Sequence, residues 1–113
     1  MVVCNLSCRR IFEMTDGPLR RYTVAESFSG CGGLSRGFWR TGRFRVVAGN
    51  DIKPEAIRTI ALNHGDDDIS PAILTGDIRT MSFDAILAKL HSHNINRDEL
   101  DCLIGGPPCQ GFS

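Results

Sequence analysis

Hydrophobic and polar positions along the chain alternate between two kinds of short segment. Four runs are rich in β-favouring apolar residues: residues 22–28 (YTVAESF), 44–48 (FRVVA), 72–74 (AIL) and 100–104 (LDCLI). Gly, Pro, Asn and Asp separate these runs from segments whose apolar residues recur every three or four positions. Strands that alternate with helices are typical of βαβ units, so the pattern predicts an α/β fold with a mostly parallel sheet.

The segments between the predicted strands have the features of helices. A glycine cluster at residues 30–33 precedes the sequence LSRGFW, which can open the first helix. Pro54 suits the first turn of the second helix, whose apolar positions are Ala56, Ile57, Ile60 and Ala61. Ser82 is a favourable N-cap for the third helix, whose apolar positions are Phe83, Ile86, Leu87 and Leu90.

The first 21 residues show no clear period, so we predict an irregular or weakly helical lead-in before a single domain at residues 22–113. No apolar run approaches the roughly 20 residues that a membrane span needs. The N-terminus also lacks the continuous apolar stretch of a secretory signal. The expected location is therefore the cytoplasm, near the nucleoid if the host is bacterial.

Charge and cysteine content exclude several classes of site. Net charge is zero, although residues 1–45 carry eight Arg against three acids and residues 46–113 carry five Lys or Arg against ten. Scattered arginines are common on solvated surfaces, so charge alone identifies no partner. Five cysteines without a signal peptide fit reduced thiols, and their spacing with the histidines matches no familiar zinc site. We therefore predict no metal, and the absence of C-x-x-C argues against a redox protein.

Glycines follow the first long predicted strand, in the sequence FSGCGG at residues 28–33. Glycine lets backbone N–H groups approach a nucleotide-like ligand without interference from a Cβ atom. The sequence departs from the dinucleotide fingerprint G-x-G-x-x-G, because Ser35 occupies the third glycine position. This loop therefore indicates a cofactor other than a nicotinamide dinucleotide.

Two acids follow the next two predicted strands. Asp51 lies about 20 residues beyond the glycine loop, where a carboxylate can accept hydrogen bonds from both ribose hydroxyls of an adenosine-containing cofactor. Its alternative role is an N-cap of the helix that begins near Pro54. Asp77, in the sequence GDI, can accept a hydrogen bond from an adenine amino group or can simply be a turn residue.

The last strand leads into GGPPCQGFS at residues 105–113. Two prolines fix φ and remove two backbone donors, so this loop is stiff and gives the Cys109 thiol a defined direction. A thiol with the ordinary pKa near 8.5 needs a positive or dipolar setting to become the attacking thiolate. Cys4, Cys8 and Cys102 are instead predicted to be small apolar core residues.

With these motifs in order, residues 22–113 resemble the N-terminal part of a cytosine-5 DNA methyltransferase. The resemblance is carried by FSGCGGLSRGF at 28–38, NDIKPEA at 50–56, GDI at 76–78 and GGPPCQGFS at 105–113. It implies the Rossmann-like fold of the S-adenosylmethionine-dependent methyltransferases, here as a partial catalytic domain without a target-recognition domain. The implied partner is DNA, and relatives of this kind serve in restriction-modification.

The resemblance also implies roles for individual residues. Cys109 matches the nucleophile that adds to carbon 6 of a flipped cytosine, so that carbon 5 can take the methyl group. Asp51 and Ile52 would contact ribose and adenine, and Asp77 the adenine amino group. The remaining residues that match cofactor-binding positions are Phe28, Ser29, Gly30, Cys31, Gly32, Gly33, Leu34, Ile78 and Pro108.

The sequence departs from the family in two ways. Glu26 and Ser27 stand where Asp and Leu are usual, and Lys53 stands where a second acid is common. The glutamate of the family's Glu-Asn-Val segment and the target-recognition domain do not occur within these 113 residues. We therefore expect this chain to be inactive alone, as a fragment or as one subunit completed by a second chain. The alternatives are a non-catalytic module for an adenosine cofactor and a fragment of an RNA cytosine-5 methyltransferase.

Overall fold

The computed structural model describes residues 2–4, 20–64 and 72–108. Three helices lie in these residues: α1 Gly33–Arg40, α2 Pro54–Asn63 and α3 Phe83–Ser92. A short 3-10 turn at Arg97–Glu99 precedes the last strand. The strands are β1 Val2–Cys4, β2 Tyr22–Ser27, β3 Phe44–Asp51, β4 Ala72–Thr75 and β5 Cys102–Gly105.

The strands form one sheet in the order β1-β5-β2-β3-β4. Strands β5, β2, β3 and β4 run parallel to one another, and β1 pairs antiparallel with β5. Helices connect the parallel strands, as such crossovers require. The predicted α/β fold with a mostly parallel sheet is confirmed.

The N-terminal lead-in contains a strand that the sequence analysis did not predict. Val2 pairs with Ile104 and Cys4 pairs with Cys102, so β1 covers the free edge of β5. The prediction of irregular structure is therefore wrong for these residues. A run of three residues is too short to show a period, and its partner lies about a hundred positions away in the chain. The remainder of the lead-in, up to residue 19, lies outside the described residues.

Local signals place the helix starts where the sequence predicts them. Pro54 is in the first turn of α2, and the Ser82 hydroxyl oxygen accepts a hydrogen bond from the backbone N–H of Ala85 at 3.1 Å. Strand β3 is longer than predicted, because it continues to Asp51 along β4. The Asn50 side-chain amide stabilises this extension by donating to the carbonyl oxygens of Leu74 and Gly76.

Apolar side chains cover both faces of the sheet. On the face of α1 and α2, Val24, Val46 and Ile104 are buried beneath Phe38 and Trp39. On the face of α3, a second cluster is formed by Ala25, Val47, Ala48, Ala72, Leu90 and Ile95, with Ile86 and Leu100 packed against it. Helices on both faces of a parallel sheet are the arrangement of doubly wound α/β domains.

Strand β3 contains a one-residue irregularity in its pairing with β2. Val24 pairs with Val46, but the next residue, Ala25, pairs with Ala48. Val47 is therefore an extra residue in β3, as in a β-bulge. Both Val46 and Val47 are completely buried.

The chain order creates a switch point in the sheet. After β2 the chain adds β3 and β4 on one side, and it then returns to add β5 on the other side of β2. In open α/β sheets, ligands bind outside the carboxyl ends of the strands at such a point. The fold therefore predicts a crevice between the loop that follows β2 and the loop that follows β5. No helix among the described residues is long and apolar enough to cross a membrane.

Candidate cofactor site

The loops that follow β2, β3, β4 and β5 surround one cavity of about 740 Å³ at the carboxyl ends of the strands. This volume lies within the range of roughly 300–1,000 Å³ that is usual for small-molecule sites. The cavity is lined by Phe28, Gly30, Asn50, Asp51, Ile52, Lys53, Ala56, Gly76, Asp77, Ile78, Arg79, Gly106, Pro107 and Pro108.

The structure brings together residues that the sequence analysis selected from four separate motifs. Those that line the cavity are Phe28, Gly30, Asp51, Ile52, Asp77, Ile78 and Pro108. Five other residues of the glycine loop do not line it: Ser29, Cys31, Gly32, Gly33 and Leu34. Ser29 and Gly32 are buried behind the loop surface, and Cys31 is exposed. Cys109 lies outside the described residues, one residue beyond Pro108.

The glycine loop turns sharply between β2 and α1. Phe28, Gly30 and Gly32 have φ angles of 55°, 51° and 81°, in the left-handed region. The Gly32 N–H donates to the Ser29 carbonyl oxygen at 2.8 Å and closes the turn. A Cβ atom on Gly32 would lie 2.7 Å from Cγ1 of Ile60. Position 32 therefore requires glycine for both its backbone angle and its packing.

Gly32→Ala is expected to lower the free energy of unfolding by about 3 kcal/mol, from the left-handed strain together with the overlap on Ile60. Urea unfolding followed by circular dichroism measures this change. Gly37→Ala is the matched control, because Gly37 is within α1 and a Cβ there meets nothing within 4 Å. The control should be neutral or stabilising by up to about 1 kcal/mol. Equal losses in the two variants would contradict the packing argument.

Asp51, the last residue of β3, joins the glycine loop to the start of α2. Its Oδ2 accepts from the Gly30 N–H at 2.8 Å, and its Oδ1 accepts from the Lys53 N–H at 2.9 Å. The N-cap of α2 is Lys53, so the alternative role of Asp51 as that cap is wrong. Each carboxylate oxygen has two acceptor sites, so both oxygens can still accept a hydroxyl donor. The carboxylate of Asp51 can thus bind a diol while it orders the loop.

Asp77 follows β4 and is bound by Arg79. The Arg79 Nη2 lies 2.6 Å from Asp77 Oδ2, and its Nε lies 3.0 Å from Oδ1. The Arg79 backbone N–H also donates to Oδ1 at 3.0 Å. Hydrogen bonds from the Arg79 side chain, followed by the one from its backbone, lower the pKa of Asp77 to about 2. The carboxylate therefore remains a pure hydrogen-bond acceptor at any physiological pH.

Arg79→Ala is expected to return the pKa of the Asp77 carboxyl part of the way toward 3.8, because the side-chain hydrogen bonds that favour the charged form are lost while the bond from the backbone N–H of residue 79 is kept. In the wild-type chain, this lowered pKa contributes stability above pH 3.8 that is lost as the pH falls toward 2. Carbon-13 NMR titration of the carboxyl resonance measures the change. Arg58→Ala, an exposed arginine on α2, should leave this titration unchanged. An unchanged Asp77 titration in Arg79→Ala would contradict the assignment.

The proline loop begins directly beside the glycine loop. Strand β5 ends at Gly105, which pairs with Ser27 of β2. A Cβ atom on Gly105 would lie 3.0 Å from the Ser27 carbonyl oxygen, so glycine permits the two strand ends to approach closely. Gly106, Pro107 and Pro108 then form one wall of the cavity. The glycine loop and the proline loop, which lie on either side of the switch point, thus line the same cavity.

Several residues near the site were given no role at it by sequence reasoning. Lys53 and Arg79 place two cations at the cavity wall, and Arg79 could be suspected only from its position two residues after Asp77. Glu26, Ser35 and His64 form a buried polar cluster beneath the glycine loop. Their positions are distant in sequence, so no local pattern joins them.

A second hollow of about 430 Å³ lies between α3 and the sheet. Most of its side chains are aliphatic, among them Leu74, Ile86, Leu87 and Leu103. Its lining also includes Glu26 and Asp101, but these carboxylates accept hydrogen bonds from Ser35 and Thr23 within the protein, so the hollow offers less to a ribose or an adenine. Cys102 is buried on the opposite face, as predicted for a core cysteine. The described residues contain no group of three His, Cys, Asp or Glu side chains placed to hold a metal ion.

Known proteins resemble this chain over nearly all of the predicted domain. The family model for C-5 cytosine-specific DNA methylases matches residues 22–113. The DNA (cytosine-5-)-methyltransferase M.ApeKI of Aeropyrum pernix is 39% identical over 101 residues, covering 84% of this chain and 21% of the relative. Type II methyltransferase M1.HphI of Haemophilus parahaemolyticus is 40% identical over 91 residues, covering 80% of this chain and 22% of the relative.

A eukaryotic relative is also similar. DNA (cytosine-5)-methyltransferase 1 of Mus musculus is 27% identical over 95 residues, covering 84% of this chain and 6% of the relative. The chain thus spans only about a fifth of the two prokaryotic relatives. Because the family model extends from the start of β2 through the GGPPCQGFS segment at residues 105–113, the chain belongs to the C-5 cytosine-specific DNA methylase family.

Proposed function

We propose that this chain forms the cofactor-binding part of an enzyme that transfers a methyl group from S-adenosylmethionine to carbon 5 of cytosine in DNA. The observation that carries the proposal is the convergence of Phe28, Asp51, Asp77 and Pro108 on one cavity at the switch point of the sheet. Family membership supports the same chemistry.

The cavity has the features that an adenosine cofactor needs. Phe28 and Ile52 are large apolar side chains that remain 42% and 60% exposed, and both line the cavity. Apolar surface of this kind can cover the two faces of an adenine ring. We propose that Asp51 binds the ribose hydroxyls and that Asp77 accepts from the adenine amino group. The glycine loop would hold the methionine part of the cofactor.

The proposed nucleophile is Cys109, which is bonded to Pro108 on the cavity wall. S-adenosylmethionine, when bound, would supply an electrophilic methyl group. The thiolate of Cys109 adds to carbon 6 of a cytosine that has left the base stack, which makes carbon 5 nucleophilic. Carbon 5 would then take the methyl group with S-adenosylhomocysteine as the leaving group, and loss of the carbon 5 proton to a base would release the thiolate and regenerate the free cysteine.

The proposed reaction needs groups beyond this sequence. The addition step requires a side chain that supports the charge developing on the cytosine ring, and base flipping requires a surface that reads DNA. We propose that segments outside these 113 residues, on a longer form of this chain or on a second chain, supply both. A binding module without chemistry remains the competing function, and it predicts cofactor affinity without any covalent adduct.

The proposal can be tested in two stages. Isothermal titration of the chain with S-adenosylmethionine measures whether the cavity binds the cofactor, and micromolar affinity is the expected result. The chain is then mixed with a polypeptide that supplies the remaining catalytic segments and is challenged with 5-fluorocytosine DNA or the matching RNA. A denaturation-resistant adduct with DNA supports the methyltransferase. Cofactor binding without an adduct supports the module, and an adduct with RNA alone would reassign the substrate.

A further inference from the structure

Three polar side chains are buried together beneath the glycine loop. Glu26 on β2 is 4% exposed, and Ser35 on α1 and His64 after α2 are completely buried. None of them lines the cavity. Burial of a carboxylate and an imidazole carries a desolvation cost, so these groups must be paired with one another or with the backbone. We call Glu26, Ser35 and His64 the loop-support cluster.

Hydrogen bonds connect the loop-support cluster to the glycine loop. The Ser35 backbone N–H donates to Glu26 Oε2 at 3.2 Å, and the Ser35 hydroxyl donates to the Gly32 carbonyl oxygen at 3.1 Å. His64 Nε2 lies 3.4 Å from the Ser35 hydroxyl oxygen. The Ser35 hydroxyl oxygen and His64 Nε2 are within hydrogen-bonding distance, and the histidine tautomer decides which of them donates.

Glu26 replaces the N-terminal cap that α1 lacks. The N-cap residue is Gly32, which has no side chain to offer, and the first turn contains no acidic residue. Ser35 is in that first turn, where backbone N–H groups have no partner within the helix. A carboxylate from the neighbouring strand satisfies this donor and also lies near the positive end of the helix dipole.

Two residues of the glycine loop, Gly30 and Gly32, are therefore held from different sides. Asp51 binds the Gly30 N–H at the cavity side, and Ser35 binds the Gly32 carbonyl from beneath. Gly30 lines the cavity, whereas Gly32 packs against Ile60. A shift of Ser35 would move Gly32 and change the direction of the Gly30 backbone.

We propose that the loop-support cluster positions the glycine loop for the cofactor, with Glu26 as a positioning residue whose ionisation tunes cofactor affinity. The proposal rests on the proposed function, because S-adenosylmethionine is the ligand whose affinity is tuned. In this proposal, three side chains that do not touch the ligand position the loop that binds it.

The charges around Glu26 set the direction of its pH response. Burial raises the pKa of Glu26 above its ordinary value, Ser35 and His64 oppose this shift, and Asp51 adds to it. As the pH falls through the raised pKa, Glu26 becomes neutral and accepts the Ser35 N–H more weakly. Cofactor affinity should therefore decrease in acid. Stability should respond in the opposite direction, because the folded state binds this proton more readily than the unfolded state.

The experiment measures affinity for S-adenosylmethionine by isothermal titration of the full 113-residue chain between about pH 5 and pH 8. Glu26→Gln is expected to bind about tenfold more weakly at pH 8, since it loses a charge-assisted hydrogen bond. It should also lose the part of the acid response that Glu26 causes. Glu26→Asp keeps the charge and should recover part of the affinity.

Ser35→Ala tests the contact with Gly32, and we expect about tenfold weaker binding. Ser92→Ala is the matched control, because the Ser92 hydroxyl also donates to a carbonyl three residues earlier, at Lys89, but on α3. Its affinity should equal that of the wild-type chain. Urea unfolding of each variant separates loss of stability from loss of affinity. In acid, the wild-type chain should gain stability relative to Glu26→Gln while it loses affinity.

Two results would overturn the proposal. One is wild-type affinity in both Glu26→Gln and Ser35→Ala, and the other is an acid response that is identical in Glu26→Gln and the wild-type chain. If the wild-type chain binds no cofactor, the proposed function fails instead. The cluster is then tested by NMR, where the amide resonances of Ser35 and Gly32 should titrate in the wild-type chain and not in Glu26→Gln. Static resonances in both would reject the positioning role.

Discussion

Asp51→Ala is expected to reduce affinity for S-adenosylmethionine by at least about 100-fold, as measured by isothermal titration. The variant removes the proposed acceptor of both ribose hydroxyls, and a hydrogen bond to a charged group contributes about 1.5–3 kcal/mol. It also releases the Gly30 N–H, which Asp51 Oδ2 binds at 2.8 Å. The loss therefore combines a missing ligand contact with a less ordered loop.

Asp51→Asn separates these two contributions. Asparagine retains the shape and one acceptor oxygen, so we expect an intermediate loss of about tenfold. Asp84→Ala, which removes an exposed acid from the first turn of α3, is the control for net charge and should bind normally. Affinity of Asp51→Ala within threefold of the wild-type chain would exclude Asp51 from the ribose site.

Cys109→Ser is expected to lower methyl transfer by on the order of a thousandfold or more in the completed enzyme, because a serine hydroxyl is a far weaker nucleophile than a thiolate. The measurement is transfer of a radiolabelled methyl group to DNA. Trapping on 5-fluorocytosine DNA should fail in the same variant. Cofactor affinity of the chain should change by less than about twofold, since the proposed role of the sulfur is toward cytosine.

Cys8→Ser is the matched control for Cys109→Ser. It is the same chemical change at a cysteine outside the region that the family model matches. Methyl transfer at the wild-type rate is expected. Retention of transfer in Cys109→Ser, or equal loss in both variants, would remove Cys109 from the proposed mechanism.

Features encoded by neighbouring residues could be predicted from the sequence. Pro54 and Ser82 mark helix starts through their own backbone and hydroxyl chemistry, and the structure confirms both. Asp51 and Asp77 were expected at strand ends, and both lie there. Once strands and helices alternate, topology brings these ends to one edge of the sheet, so the convergence on one cavity follows from local patterns.

Features that depend on distant partners could not be predicted in this way. Strand β1 exists through pairing with β5, and its three residues carry no period of their own. Glu26, Ser35 and His64 meet only after β2, α1 and α2 have packed. The Arg79 side chain is 84% exposed, and only the folded turn shows that it binds Asp77. In each case, tertiary geometry adds information that local propensity lacks.

The extra residue in β3 decides which face of the sheet receives the Asp51 carboxylate. Paired residues of parallel strands share a face, so Gly49, opposite Glu26, places Asp51 two residues later on the side of α1 and α2. If Val47 instead paired with Ala25, so that every residue from Val46 onward alternated strictly, the Asp51 side chain would point toward α3 and away from the Gly30 amide. The irregularity at Val47 is thus a functional constraint: conservative substitutions at Val46 or Val47 preserve it, whereas regular pairing of Val47 with β2 would move Asp51 to the other face of the sheet.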